Sequence, residues 1–200
     1  MWEQYIKESI DNISNTYDSN ELAFQAMQGK IELQLRDKIA WYLEQRLSNT
    51  GYCVKREYNT PGSKGRKKCD LAILEKNSML PVCLIEFKAH SAATFEKQYV
   101  DKCCADIDKM QSIAEGATSA PEIYYIFFQT EHRGELPANN GLIAYYDIIK
   151  KALKAGLEAD DIYNQWDSNY NLFGTIDKMV IDAGAYYGLK VVIHTMILKK

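Results

Sequence analysis

Apolar residues recur along the first 14 positions at helical spacing. Trp2, Ile6, Ile10 and Ile13 fall on one stripe, which predicts an amphipathic helix over 2–14. "DSNE" at 18–21 offers several N-capping residues, and a second helix is expected from about 20 to 48, disturbed at Gly29. The pattern then changes to strands. "GYCVKREYN", "CDLAILE" (69–75) and "PVCLIEFK" (81–88) read as three successive strands, with "PGSKGRKK" (61–68) as a basic, glycine-containing loop. Residues 94–115 carry Phe95, Tyr99, Cys103, Ile107 and Met110 as a helical stripe. "APEIYYIFFQT" reads as a buried fourth strand. Helices are expected near 142–155 and 158–166, and "GLKVVIHTMILKK" ends the chain as a strand. Closely spaced early strands and a later helical crossover predict an α/β fold around a mixed central sheet flanked by helices.

A length of 200 residues fits one domain, with no linker or repeat evident. A net charge of -3 argues against a strongly basic nucleic-acid coating protein but leaves room for a local basic patch. The five cysteines are odd in number and lack CxxC spacing, so reduced packing thiols in a cytoplasmic protein are expected. No apolar run approaches membrane-spanning length, and "MWEQYIKESID" lacks a signal-peptide core.

One stretch carries chemistry. Val82–Ile85 reads as buried, yet the strand ends in Glu86 and Lys88, two residues apart and so on one face. An acid-x-Lys triplet is a weak signal in a chain with 27 acidic residues, although this is the only one present. Alone it reads as a solvated pair. Asp70 opens the preceding strand, and a hairpin of that length can carry it to the end of the next. Two carboxylates suit Mg²⁺ or Mn²⁺, and an adjacent lysine can position water or stabilise developing charge.

"CDLAILEKNSMLPVCLIEFK" resembles the core of the PD-(D/E)XK nuclease superfamily. The resemblance implies a restriction-endonuclease-like αβββαβ core over about 21–130, preceded by the helix at 2–14 and followed by an α/β elaboration over 131–200. It implies a DNA nuclease, with endonucleolytic cleavage favoured. Asp70 and Glu86 would bind the metal with help from the Phe87 carbonyl, and Lys88 would assist the attacking water. Cys69 stands where the family motif has proline. The chain has no cysteine after Cys104, unlike the iron–sulfur branches, and Gln98 is followed four residues on by Lys102, unlike the RecB-type pattern.

Family members often add an acid from the first core helix. On a helical wheel Glu32 falls within the stripe of Ile31, Leu35, Ile39, Tyr42 and Leu43, whereas Asp37 and Glu44 fall opposite. Glu32 is either a fourth site residue or half of a Glu32–Arg36 pair one turn apart. Glu96 could reach the edge of the site, and Gln98 near the same helix start is an unspecific candidate for phosphate contact. Asp106 reads as a local hydrogen-bonding or ion-pair residue, and His90 as a loop residue first and an auxiliary acid second, while His132 and His194 have no partners visible in the sequence. Lys64, Arg66, Lys67 and Lys68 precede Asp70 and are candidate phosphate contacts, although such a run is usually a solvated loop. Nothing in the sequence separates DNA from RNA as partner. Cutting both strands would call for a homodimer, for which no motif is evident. The competing reading is a non-catalytic nucleic-acid-binding or protein-interaction module on the same fold.

Overall fold

The computed structural model describes residues 1–59, 68–91, 97–117, 119–156, 161, 163–164 and 174–200, with backbone alone for 97–101 and 174–176. It shows a mixed α/β architecture. Helices α1 (Trp2–Asp11), α2 (Glu21–Gln28) and α3 (Glu32–Leu47) come first, followed by strands β1 (Tyr52–Asn59), β2 (Lys68–Glu75) and β3 (Pro81–Ser91). Helix α4 (Lys97–Glu115) leads to β4 (Glu122–Arg133), then α5 (Tyr146–Ala155), β5 (Gly174–Tyr186) and β6 (Leu189–Lys199). The six strands form one sheet in the order β1-β2-β3-β4-β6-β5. Among the described residues only β3 and β4 pair in parallel, as α4 lies between them in sequence and a crossover reverses the chain.

Each face of the sheet has its own core. Leu71, Ile73, Ile85, Phe87, Ala89, Ile126 and Phe128 pack with α1, α2, α3 and α5. Ala72, Leu74, Leu84, Tyr125 and Phe127 pack with Cys103, Ile107 and Met110 of α4. Alternation along each strand produces this division, and the run of apolar residues in β3 and β4 follows from burial on both faces. Among the described residues, no helix is long and apolar enough to cross a membrane.

Several expectations need correction. The helix expected over 20–48 is two helices, with the break at Gly29–Ile31. Glycine disfavours a helix interior, and β3 runs to Ser91, so His90 is a strand residue paired with Gln129 rather than a loop residue. Helix α5 starts at Tyr146 rather than near 142. Of the helix expected at 158–166, only Asp161, Tyr163 and Asn164 lie within the described residues, and these are helical.

Strand β5 was not anticipated from the sequence. It forms a hairpin with β6 through Tyr187 and Gly188, since Tyr186 pairs with Leu189. Both loop residues have positive φ (50° and 78°), as a two-residue type I′ turn requires. Gly184 also has φ +88°, and a Cβ there would stand 2.6 Å from Asn20 Oδ1 and 3.1 Å from its Cα. Asn20 Oδ1 accepts a hydrogen bond from the Ala185 amide at 2.8 Å, tying the hairpin to the start of α2. Gly188→Ala meets no neighbour and should lose about 1 kcal/mol through its dihedral alone. Gly184→Ala adds a collision and should lose about 2 kcal/mol or more. Urea unfolding of both variants checks the order, and equal losses would show that the Asn20 contact has no weight.

Candidate active site at the open edge of strand β3

The β2–β3 ladder runs only to the pair Leu71↔Ile85, whereas β3 continues beside β4 as far as Ser91. Past Ile85, no strand among the described residues pairs with that edge of β3. A strand residue directs its N–H and C=O to the same side, so Phe87 and Ala89 present amides and carbonyls to that open edge. Buried amides need acceptors. Here two carboxylates supply them. Asp70 Oδ2 accepts from the Phe87 amide at 2.9 Å, and Glu32 Oε2 accepts from the Ala89 amide at 2.9 Å.

Local irregularity turns Asp70 into this position. Cys69 packs with Ala72 and Leu74 instead of with Leu71, so alternation fails at Asp70. The Cys69 thiol bonds to the carbonyls of Leu71 and Ile85, where a ladder partner would stand. Across the other edge, Arg56↔Leu71 and Tyr58↔Cys69 are paired, with Glu57 and Asp70 unpaired between them. Glu57 has φ +53°, a strained conformation for a residue with a Cβ. The sheet is therefore distorted on both sides of Asp70.

Glu86 and Lys88 share the face of Leu84, opposite Ile85 and Phe87, and emerge toward α4. Glu86 is only 3% exposed. Its Oε2 lies 3.4 Å from the Asp70 amide, and its Oε1 accepts from Lys88 at 3.1 Å and from Lys109 at 2.6 Å. Asp106 of α4 bonds both amines in turn, Lys88 at 3.1 Å and Lys109 at 3.0 Å. Glu86, Lys88, Asp106 and Lys109 thus form a closed ring of alternating charge. Asp70, Glu86 and Lys88 do converge, and Glu32 joins them along β3.

Burial, then the charge of Asp70, raises the pKa of Glu86, and the two ammonium groups only partly offset this. Burial likewise raises that of Glu32. Burial opposes charge on Lys88, but Glu86, Asp106 and Glu32 outweigh it and raise its pKa. Lys109 is raised by Glu86 and Asp106 against the same opposition, and Asp106 is lowered by the two lysines. The difference follows depth, since each lysine side chain is 21% exposed against 3% for Glu86. Both amines stay charged, while the buried carboxylates remain short of positive charge.

A hard divalent cation binds carboxylate and carbonyl oxygens. Asp70 and Glu86 offer the carboxylates, and the Phe87 carbonyl leans to the same edge. The donor types suit Mg²⁺ or Mn²⁺, but Glu86 Oε1 is held by two amines. Among the described residues, no group of three or more His, Cys, Asp or Glu side chains is arranged to hold a metal ion.

The remaining candidates divide. The Glu32–Arg36 pair does not form: Arg36 bonds Asp37 at 3.0 Å and Glu57 at 2.6 Å instead. Glu44, expected opposite the apolar stripe, accepts from the Val54 amide of edge strand β1 at 2.8 Å. Asp106 is an ion-pair residue, but its partners reach into the site as well as along its own helix. Lys68 lies 4.0 Å from Glu57. Lys64, Arg66, Lys67 and Glu96 lie outside the described residues, as does the side chain of Gln98. His194 bonds Glu131 at 2.5 Å and lies against Tyr163. Lys109 was missed. Its signal is its place three residues after Asp106, beside the apolar stripe of α4.

No protein-family model, curated protein or solved structure matches this chain.

The raised pKa of Glu32 fixes the sign of a pH effect. Below its ordinary value of 4.5 the side chain is protonated folded or unfolded and contributes no difference. As pH rises from there through the higher folded pKa, the unfolded chain releases the proton first and stability falls. Glu32→Gln keeps an acceptor for the Ala89 amide and has no charge to bury. Its melting temperature should match wild type near pH 4 and exceed it at pH 7. A variant less stable than wild type at pH 7 would contradict this account.

Proposed function

We propose that this chain is a cytoplasmic, Mg²⁺-dependent DNA nuclease of PD-(D/E)XK type on a restriction-endonuclease-like core, with endonucleolytic cleavage favoured. The observation that carries the reading is the early end of the β2–β3 ladder, where Asp70, Glu86 and Lys88 meet at an open strand edge. The order α3-β1-β2-β3-α4-β4 agrees with the αβββαβ order that the sequence resemblance implies.

Asp70, Glu86 and the Phe87 carbonyl would hold Mg²⁺ (or Mn²⁺), with Glu32 beside them through its bond to Ala89. The bound ion would polarise a phosphodiester and lower the pKa of a bound water. Lys88 is protonated at neutral pH, so it acts as a donor that orients the water or stabilises charge on phosphate, and not as a general base. Lys109 donates to Glu86 Oε1 and would compete with a cation for that carboxylate, while Asp106 would keep the ammonium close as a second donor for phosphate oxygens. Lys64, Arg66, Lys67 and Lys68 would supply further phosphate contacts.

The ring of Glu86, Lys88, Asp106 and Lys109 also favours a second reading. It satisfies its members without a metal, as a non-catalytic binding module would require. Cleavage of supercoiled and linear DNA separates the two. The proposed nuclease cuts with Mg²⁺ and stops when EDTA removes it. Asp70→Asn and Lys88→Ala should each lower turnover by roughly 10²- to 10⁴-fold with the fold intact. Lys88→Ala keeps metal binding and Asp70→Asn loses it. Binding without cleavage at millimolar Mg²⁺ or Mn²⁺ would favour the module.

Lys109→Met removes a cation that competes for Glu86. Calorimetry should show a lower Mg²⁺ dissociation constant than wild type, while the KM for DNA rises. Unchanged Mg²⁺ affinity would mean that Lys109 does not stand in the metal's place.

A further inference from the structure

Strands β1 and β2 reverse their faces together beside the candidate site. Tyr52 and Val54 of β1 pack on the side of the sheet that carries α3, as do Leu71 and Ile73 of β2. Tyr58 and Cys69 pack on the opposite side, with α4. Regular alternation would keep Tyr58 with Val54 and Cys69 with Leu71. It fails in both strands at one level, between the pairs Arg56↔Leu71 and Tyr58↔Cys69, where Glu57 and Asp70 stand unpaired. The register is the same on either side of that level, so no residue is inserted and the two strands turn as one.

Glu57 carries the turn. Among the described residues of β1 and β2 it alone has a positive φ, 53°. A residue with a Cβ is strained there and persists only where its surroundings hold it. Arg36 of α3 supplies the hold. It is 8% exposed, and its Nη1 donates to Glu57 Oε1 at 2.6 Å. Its Nε donates to Asp37 Oδ1 at 3.0 Å, and Asp37 Oδ2 pairs with Arg56 at 2.7 Å. Consecutive residues of β1 are therefore tied to consecutive residues of α3. Burial opposes the charge of Arg36, but Asp37, Asp70 and Glu57 outweigh it, so Asp70 also lies within reach of its field. One turn earlier on the same helix, Glu32 accepts from the Ala89 amide. Helix α3 thus acts on the site at two points.

We propose that Arg36 is a positioning residue for the candidate site. By holding Glu57 in its left-handed conformation, it fixes the joint turn of β1 and β2 that aims the Asp70 carboxylate at the Phe87 edge. The consequence for a bound cation rests on the nuclease reading; the coupling of Arg36 to Asp70 does not.

The Phe87 amide reports on Asp70, whose Oδ2 it bonds at 2.9 Å, and hydrogen exchange reads it individually. The Glu57 side chain is 48% exposed, so replacing it spares the core. Glu57→Gln loses the ion pair and keeps the strain. The turn then gives way, and Phe87 should exchange about tenfold faster. Glu57→Gly loses the same ion pair but adopts positive φ freely, so it should lose little of this protection. Arg36→Met should match Glu57→Gln, and its effect should vanish when it is combined with Glu57→Gly. The two Glu57 variants decide the matter if Arg36→Met fails to fold. Equal exchange at Phe87 in the Gln and Gly variants overturns the proposal. The Val54 amide, bonded to Glu44 of α3 at 2.8 Å, should exchange as in wild type throughout. Acceleration there as well would make the ion pair a general fastening of α3 to β1 and contradict a positioning role.

Calorimetry with Mn²⁺ tests the consequence for the site. Glu57→Gln and Arg36→Met should bind about tenfold more weakly than wild type, and adding Glu57→Gly to Arg36→Met should restore the affinity. Unmoved affinity in both single variants would contradict the proposed role in cation binding. A wild-type chain that binds no Mn²⁺ would remove the nuclease reading, and the exchange pattern at Phe87 would still decide whether Arg36 holds Asp70. Mn²⁺ binding in wild type with equal Phe87 exchange in the Gln and Gly variants would do the reverse.

Discussion

The arrangement depends on one unmade set of hydrogen bonds. Strand β3 is longer on its β4 side than on its β2 side, so the Phe87 and Ala89 amides have no ladder partner among the described residues. They are bonded by the carboxylates of Asp70 and Glu32. These oxygens accept from the amides as ladder carbonyls would, and this compensates for ending the ladder early. It also draws two acids into a partly buried space beside a third, Glu86. Acids gathered so closely repel one another, and Glu86 and Glu32 both resist ionisation. The strand edge thus creates an unmet demand for positive charge.

Lys88 and Lys109 meet part of that demand. Their bonds to Glu86 and Asp106 make the ring stable without another ion, but at the surface side of Glu86 rather than at the β3 edge. A buried ion-pair ring of this kind is weak support for stability, because desolvation opposes the attraction. Its value under the nuclease reading is positional. The ring would hold two ammonium groups where a phosphate could meet them.

Much of this was legible in the chain, and the exceptions have physical reasons. Glu86 and Lys88 showed themselves as charges closing an apolar strand, and Glu32 as an acid within an apolar helical stripe. The partner of Glu32 was not legible, because a helical wheel gives a direction and not the backbone amide that lies there. Lys109 was hidden because a lysine flanking an apolar stripe is ordinarily solvated, and only the depth of Glu86 gives it a role. His90 was read as a loop residue because the apolar run of β3 ends at Lys88, while pairing with β4 carries the strand further. Strand β5 escaped because alternating charge and small residues make a weak strand signal. The Tyr187–Gly188 turn was its strongest local mark.

The central claim is that the open edge of β3 is a divalent-cation site made by Asp70 and Glu86. Paramagnetic broadening of backbone amide resonances by substoichiometric Mn²⁺ tests it most directly, because the effect falls steeply with distance from the ion. The account predicts broadening centred on Asp70, Leu71 and Glu86 through Lys88, lost in Asp70→Asn. Broadening centred elsewhere, or spread evenly over surface carboxylates and unchanged by that substitution, would contradict it.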